Sequence, residues 1–335
     1  MKLLIWHPAC YQLEPPLRSA LRTSWDIETN PGDLNWLAER LAGADALIAL
    51  ELPRSLLPQA RRLKALLFPG AGYFHSSPDE LPLGCRLSVV FEHEVPIAEY
   101  VVLVLLLHVT RMRHFLATFA QGRWDGNGRT GGEPHEELLG KTLALVGYGH
   151  IGREVARRVR CFGVRVLAIR SRPSPLPVGT PEPDFLGTPA ELDRVLAESD
   201  FVTLCCPLTP ETRGMIDARR LRLLRDGALL VNVARAEIVD EEALYRELAS
   251  GRISAALDVW YQYPMRGTEI LHGSRFPLHE LPNVLATPHL SAWTRAMIER
   301  RMRRIADNLD RLARGQPLER VVLCGSWTPA EPAAS

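Results

Sequence analysis

Six residues constrain this 335-residue chain more than any others: Gly147-Tyr148-Gly149-His150-Ile151-Gly152. They follow the apolar run Leu143-Ala144-Leu145-Val146 and precede a helical pattern over 153–162. Three glycines at this spacing mean little alone. Between a buried strand and a helix they make a turn with a mechanism. Gly147 permits the tight turn, Gly149 lets backbone approach a pyrophosphate, and Gly152 lets helix and strand pack closely. The helix N-terminus, with His150 and Ile151 at its entry, offers N–H groups and partial positive charge to phosphates. A glycine-rich turn without a ligand is the bland alternative, and the strand–turn–helix context weighs against it.

The strand after this turn, 164–169, sets the cofactor. A dinucleotide-binding unit that takes NAD usually ends this strand in Asp or Glu, which holds the ribose 2′-hydroxyl. Here Arg170-Ser171-Arg172 stands instead. An acid would repel a 2′-phosphate, whereas these three bind one by charge and hydrogen bonds. The expectation is NADP(H), with NAD(H) beside two solvated arginines as the alternative.

Apolar runs at 2–6, 46–50, 63–68 and 87–90 read as strands separated by helical patterns such as 34–41. That alternation implies a parallel sheet. One long helix is predicted from Pro96 to Phe119, proline suiting a first turn. Residues 122–134 read as a loop and Arg172–Pro189, rich in proline, as a surface crossover loop. A second strand–helix series runs from Lys141 to Pro288. A last helix is predicted over Ser291–Arg314, ending near Gly315, with a disordered tail from Thr328. A chain of this length suggests two domains.

Hydrophobic residues are 46%, charged residues 24% and the net charge is +1, so bulk electrostatics suggest neither a nucleic-acid nor a membrane surface. The six cysteines form no CxxC pair and no zinc spacing, so no metal is expected and a reducing, cytoplasmic compartment is favoured. Cys205 and Cys206 read as small core residues. Residues 1–6 read as a strand, not a signal core. The apolar stretch 100–107 is far short of the roughly 20 residues a membrane span needs.

Further motifs occur in order. They are Gly70-Ala71-Gly72-Tyr73, Ala98-Glu99, Gly122-Arg123-Trp124 through Leu139-Gly140-Lys141, Asp200 through Thr212, Gly227 through Asp240, Ala256-Leu257-Asp258-Val259-Trp260, and Thr287-Pro288-His289-Leu290-Ser291-Ala292. Over about 65–295 the chain resembles the D-2-hydroxyacid dehydrogenases. The resemblance implies a Rossmann-type dinucleotide-binding domain, 98–291, inserted into a flavodoxin-like substrate-binding domain, 1–97 with 292–335, and a homodimer.

It also implies roles. Arg235, at the carboxyl end of an apolar strand, would hold the 2-oxoacid carboxylate and polarise the carbonyl, helped by the N–H groups of Ala71 and Gly72. His289 would exchange the proton with the substrate oxygen. Cys206, Pro207, Thr212, Val233, Ala234 and Asp258 would contact the cofactor. One position departs. The family places Glu five residues after the equivalent of Asp258, and this chain has Tyr263, which offers a hydrogen bond but no charge near neutral pH. Either Tyr263 orients His289, or a carboxylate such as Glu269 substitutes. The segment Phe91-Glu92-His93-Glu94-Val95 departs too, as a pocket-shaping loop or a solvated turn.

The expected function is NADPH-dependent reduction of a small 2-oxoacid, of glyoxylate or hydroxypyruvate type. The alternatives are an NAD-linked dehydrogenase of phosphoglycerate, phosphite or formate type, and a non-catalytic, cofactor-sensing protein similar to the family's corepressors.

Overall fold

The computed structural model describes residues 1–73, 77–172, 175–264 and 271–329. The chain forms two compact units: Met1–His93 with the chain from Thr294 onward, and Glu94–Trp293.

The first unit contains β1 (Lys2–Trp6), α1 (Cys10–Ala20), β2 (Asp26–Asn30), α2 (Leu34–Arg40), β3 (Ala46–Ala49), β4 (Ala65–Phe68) and β5 (Arg86–Val89). Its sheet has the order β13-β5-β4-β3-β1-β2, with β13 (Val321–Cys324) antiparallel at the edge and the rest parallel. The parallel part, 2-1-3-4-5, is the flavodoxin-like winding. Side chains alternate across a strand, so Leu3 and Ile5 face one side and Leu4 the other. Leu3, Ile5, Ile48 and Leu67 pack with Met297, Met302 and Ile305 of the C-terminal helix. Leu4, Leu47 and Leu66 pack with Leu37 and Leu41 on the opposite face. Burial on both faces explains why these strands are uninterrupted apolar runs.

The second unit contains α3 (Glu94–Val109), α4 (Met112–Phe119), β6 (Thr142–Val146), α5 (His150–Val159), β7 (Arg165–Ile169), β8 (Phe185–Gly187), α6 (Leu192–Glu198), β9 (Phe201–Leu204), α7 (Ala218–Leu223), β10 (Leu229–Asn232), α8 (Glu241–Ala249), β11 (Ser254–Leu257) and β12 (Val284–Ala286). Its all-parallel sheet has the order β12-β11-β10-β9-β6-β7-β8. Counted from β6 this is the 3-2-1-4-5-6 winding of dinucleotide-binding domains with one strand added.

Three expectations are corrected. The helix expected over 96–119 is two helices bent by 61°. The Thr110 hydroxyl donates to Leu106 O (2.7 Å), Glu136 N–H takes the Val109 carbonyl (3.0 Å), and Arg111 adopts a left-handed φ of +50°. Arg172–Pro189 is not loop throughout, because Phe185–Gly187 leaves it as edge strand β8. The last helix, α9 (Arg295–Ala313), starts at Arg295 behind an N-cap, Met297 N–H donating to Thr294 Oγ1 at 3.2 Å. The N–H groups of Leu290 and Ser291 are held by a buried carboxylate instead. No single described helix is long and apolar enough to cross a membrane. Residues 330–335, most of the tail expected to be disordered, lie outside the described residues.

Candidate active site

The glycine turn joins β6 to α5 at the point where strand order reverses, between β6 and β9. Ligands gather beyond the carboxyl ends of strands at such a point. A Cβ on Gly147, whose φ is +110°, would lie 2.7 Å from Cys206 N. A Cβ on Gly152 would lie 2.3 Å from Gly147 O. Both positions are closed by the protein's own backbone. Gly149 differs, since a Cβ there meets nothing within 4 Å. The space over it suits a pyrophosphate, with His150, Ile151 and Gly152 opening the helix beneath. A dinucleotide therefore fits this turn.

Cys205 and Cys206 are half-buried under the turn and pack, as small residues, against the core on the two sides of the sheet. The Cys205 thiol donates to Gly147 O (2.9 Å). Burial pushes both thiols up, Cys206 to about 11, so neither is a nucleophile at neutral pH. At the end of β7, Arg170 is half-buried with its backbone N–H on Gly187 O (2.9 Å), and Ser171 and Arg172 are exposed. In the turn after β9, the Thr212 hydroxyl donates to Pro207 O (2.7 Å) and accepts Thr209 N–H (2.8 Å), so it clamps its own loop.

Arg235 is exposed just past the carboxyl end of β10. Buried Asn232 shapes the approach. Its amide donates to Arg235 O (3.0 Å) and its carbonyl accepts Ala234 N–H (3.1 Å). The side chains of Val233 and Ala234 are buried, so backbone is what they can offer a cofactor. One Arg235 N–H is held by the Ala234 carbonyl (2.7 Å), and among the described residues no carboxylate pairs with this guanidinium.

His289 follows β12 with a φ of +56°, a conformation that a side chain larger than glycine's adopts only where its surroundings hold it. The holder is Asp258, fully buried at the end of β11. Its carboxylate accepts the Thr287 hydroxyl (2.6 Å), Leu290 N–H (2.8 Å) and Ser291 N–H (2.9 Å), one contact on either side of the histidine and one beyond. Asp258, expected among cofactor contacts, thus directs its carboxylate onto the histidine's own segment. Tyr100 and Trp260 brace Thr287 further, through its hydroxyl (2.9 Å) and its carbonyl (2.9 Å).

Tyr263 Oη lies 2.8 Å from His289 Nδ1 and accepts Trp260 N–H at 3.2 Å. Trp260 is fixed in turn by Gly273, where a Cβ would fall 2.6 Å from its ring. Arg235 is close enough for its charge to act on both Tyr263 and His289. Burial lowers the His289 pKa; Asp258 opposes the fall and Arg235 adds to it. The structure thus brings Arg235, Tyr263, His289 and Asp258 together at one end of one sheet. Glu269 lies outside the described residues. Ala71 and Gly72 lie in the first unit, just past β4. Asn232, Thr287, Tyr100 and Trp260 were missed as positioning residues. An Asn closing an apolar strand was the one available signal.

Fold and glycine turn together define a dinucleotide-binding α/β protein. A family model described as D-isomer specific 2-hydroxyacid dehydrogenase, NAD binding domain, matches residues 102–291, and the chain belongs to that family. It is 38% identical over 199 residues to a hydroxypyruvate reductase of Thermotoga maritima, covering 59% of this chain and 60% of that one. It is 28% identical over 295 residues to a D-3-phosphoglycerate dehydrogenase of Methanocaldococcus jannaschii, covering 85% and 53%. The chain thus spans little more than half the length of these relatives. A crystal structure of a D-isomer specific 2-hydroxyacid dehydrogenase family protein from Aeromonas salmonicida superposes with a TM-score of 0.78 at 25% identity, covering 96% of this chain and 98% of that one.

Proposed function

We propose that this protein reduces a small 2-oxoacid of glyoxylate or hydroxypyruvate type to the D-2-hydroxyacid, using NADP(H). The observation that carries the reading is the placement of Arg235 and of the Tyr263–His289 pair just past the carboxyl ends of β10 and β12, in the sheet that bears the glycine turn. Residues 94–293 are the cofactor-binding domain in this reading, and the other unit binds substrate. When bound, the nicotinamide supplies hydride to the carbonyl carbon.

The chain's own groups hold the substrate and move the proton. Arg235 grips the carboxylate in a bidentate fork and draws charge toward the carbonyl oxygen. Ala71 and Gly72 add backbone N–H donors. His289 gives its Nε2 proton to that oxygen in reduction and takes it back in oxidation. Arg170, Ser171 and Arg172 receive the 2′-phosphate of NADP(H). The hydroxypyruvate reductase of Thermotoga maritima supports the substrate class.

A lowered His289 pKa favours neutral imidazole, the form that accepts a proton. That favours a second reading, NAD-linked oxidation of phosphoglycerate type. Initial rates decide between them, taken in both directions with a panel of 2-oxoacids and 2-hydroxyacids and each cofactor separately. The proposal expects NADPH to exceed NADH in kcat/KM, and Arg170→Asp with Arg172→Ala to reverse that order. A preference for NADH by the unaltered chain removes the NADP(H) assignment. Tight cofactor binding without turnover favours the sensor. Six unpaired cysteines are in keeping with a reducing, cytoplasmic setting, which cell fractionation checks. We also assign a homodimer, which exposed Leu103, Leu116, Phe119 and Trp124 support. Light scattering should then give twice the 37.4 kDa chain mass, and the single mass would exclude it.

A further inference from the structure

We propose that Glu241 is a positioning residue for the proton step: it fixes the turn that carries Tyr263 and so sets the contact between that phenol and His289. The inference rests on the dehydrogenase reading and adds to it a group that acts through Tyr263 and not on the substrate.

All the groups concerned lie within the second unit. Glu241 is the first residue of α8, and its side chain is buried. Its Oε1 accepts the Ser274 hydroxyl (2.9 Å) and Arg275 N–H (2.8 Å), and its Oε2 accepts Arg275 Nε–H (2.6 Å). Both oxygens thus hold one short segment, 274–275. Next to it in the chain, the Gly273 carbonyl accepts Tyr261 N–H and Gln262 N–H, each at 3.0 Å. The same turn is tied a second time, since Tyr261 Oη donates to Val239 O (2.9 Å) just before Glu241. Trp260 N–H then donates to Tyr263 Oη (3.2 Å), which lies 2.8 Å from His289 Nδ1. Every link from Glu241 to His289 is therefore a hydrogen bond or a step along the chain.

Burial and charge make this clamp firm. A buried carboxylate is costly unless both oxygens are paired, and here both are. The N-terminus of α8 favours its negative charge. Burial pushes the Glu241 carboxyl up, but Arg275 and Ser274 outweigh it and hold it below the usual carboxylate range. Glu241 therefore stays ionised across the neutral range, where a histidine titrates. Tyr263 needs such a support. It is 46% exposed, and residues 258–264 form neither helix nor strand. A side chain on an irregular turn keeps one geometry only where the turn itself is held. Val239, which accepts the Tyr261 hydroxyl, belongs to the connection from β10 to α8 that also carries Arg235. The guanidinium and the partner of the imidazole thus share one brace.

The test is the pH profile of kcat/KM for reduction, taken on the full chain with its preferred cofactor and the best 2-oxoacid of the panel. Tyr263→Phe removes the phenolic contact and should move the His289 limb by about half a unit or more. Glu241→Ala should move it in the same direction. Glu241→Gln keeps an acceptor for Ser274 and Arg275 N–H and should retain most of the unaltered profile. Asp258 and Arg235 are present in all three variants, so a moved limb reports the phenol. With Tyr263→Phe already in place, Glu241→Ala should move the limb no further, because its route to His289 is gone. A limb unmoved by Tyr263→Phe or by Glu241→Ala overturns the inference, and so do shifts that add in the double variant. In each of these cases turnover by the unaltered chain leaves the dehydrogenase reading standing. If Glu241→Ala does not fold, Arg275→Met decides on the same profile. A shift that Tyr263→Phe abolishes supports the clamp, and an unmoved limb overturns it. No turnover of any acid by the unaltered chain sinks both.

Discussion

A phenol and a carboxylate placed against the same imidazole nitrogen have opposite effects on its proton. A carboxylate at position 263 would accept Nδ1–H and favour imidazolium. Tyr263 Oη accepts Trp260 N–H, and where it donates its own proton to Nδ1 the neutral ring keeps its hydrogen on Nε2. Protonating His289 then requires that phenolic proton to turn away. Burial pushes the same way, lowering the pKa of His289. The sign for catalysis follows. Reduction consumes imidazolium, so its rate is full below the His289 pKa and falls as pH rises through it, earlier than for an ordinary histidine. Oxidation rises through the same window. Tyr263→Glu is predicted to move that limb to higher pH by about one unit or more, as a carboxylate contact does. An unmoved limb in the pH profile of kcat/KM would take Tyr263 out of the proton chemistry.

Elements were legible where one physical rule governed them, and less so where a side chain overrode the pattern. The two sheets follow from alternating apolar runs, and the glycine turn from a strand, a spacing and a helix start. Arg235 stood out because it closes an apolar strand, β10, where α/β sheets collect ligands, and His289 through the resemblance that Thr287-Pro288-His289 carries. The break at Arg111 was hidden, because residues 94–119 are apolar enough for one helix and only Thr110 and Arg111 depart from it. The Asp258 network was hidden for another reason. Its partners Thr287, Leu290 and Ser291 are about thirty positions away, and two of the three contacts use backbone, which carries no sequence signal.

The start of α1 carries a pH prediction that belongs to the element. His7 keeps its Nδ1 on Ala9 N–H, and burial, with the Arg301 charge adding to it, lowers its pKa from the ordinary histidine value of 6.5 to about 4. A histidine depressed on folding binds its proton more readily in the unfolded chain. Stability is therefore fully present above the unfolded value and is lost as pH falls from there toward 4, by at most about 3 kcal/mol. His7→Asn leaves an acceptor for Ala9 N–H and removes the titration. Urea unfolding at pH 7 and pH 4.5 should show a smaller acid loss in the variant. Equal losses would place the acid sensitivity elsewhere.

At the scale of the molecule, the second unit is an insertion between β5 and α9, so each unit closes on different terms. Residues 94–293 contain every strand of their own sheet. The first unit needs both β13 on its edge and Met297, Met302, Ile305 and Leu309 of α9 in its core. A chain ended after Trp293 is therefore predicted to keep a protease-resistant second unit while its first 93 residues are digested. Equal resistance of both parts would contradict this.

The antiparallel return of β13 onto β5 carries a consequence for synthesis. A ribosome delivers residues 1–93 first, yet the helix that covers one face of their sheet and the strand that closes its edge emerge only after some two hundred further residues. The amino-terminal third must wait, with Leu3, Ile5 and Leu67 unshielded on that face, while the inserted unit folds ahead of it. Nascent chains of this protein should therefore bind chaperones through residues 1–93 until translation has passed Cys324.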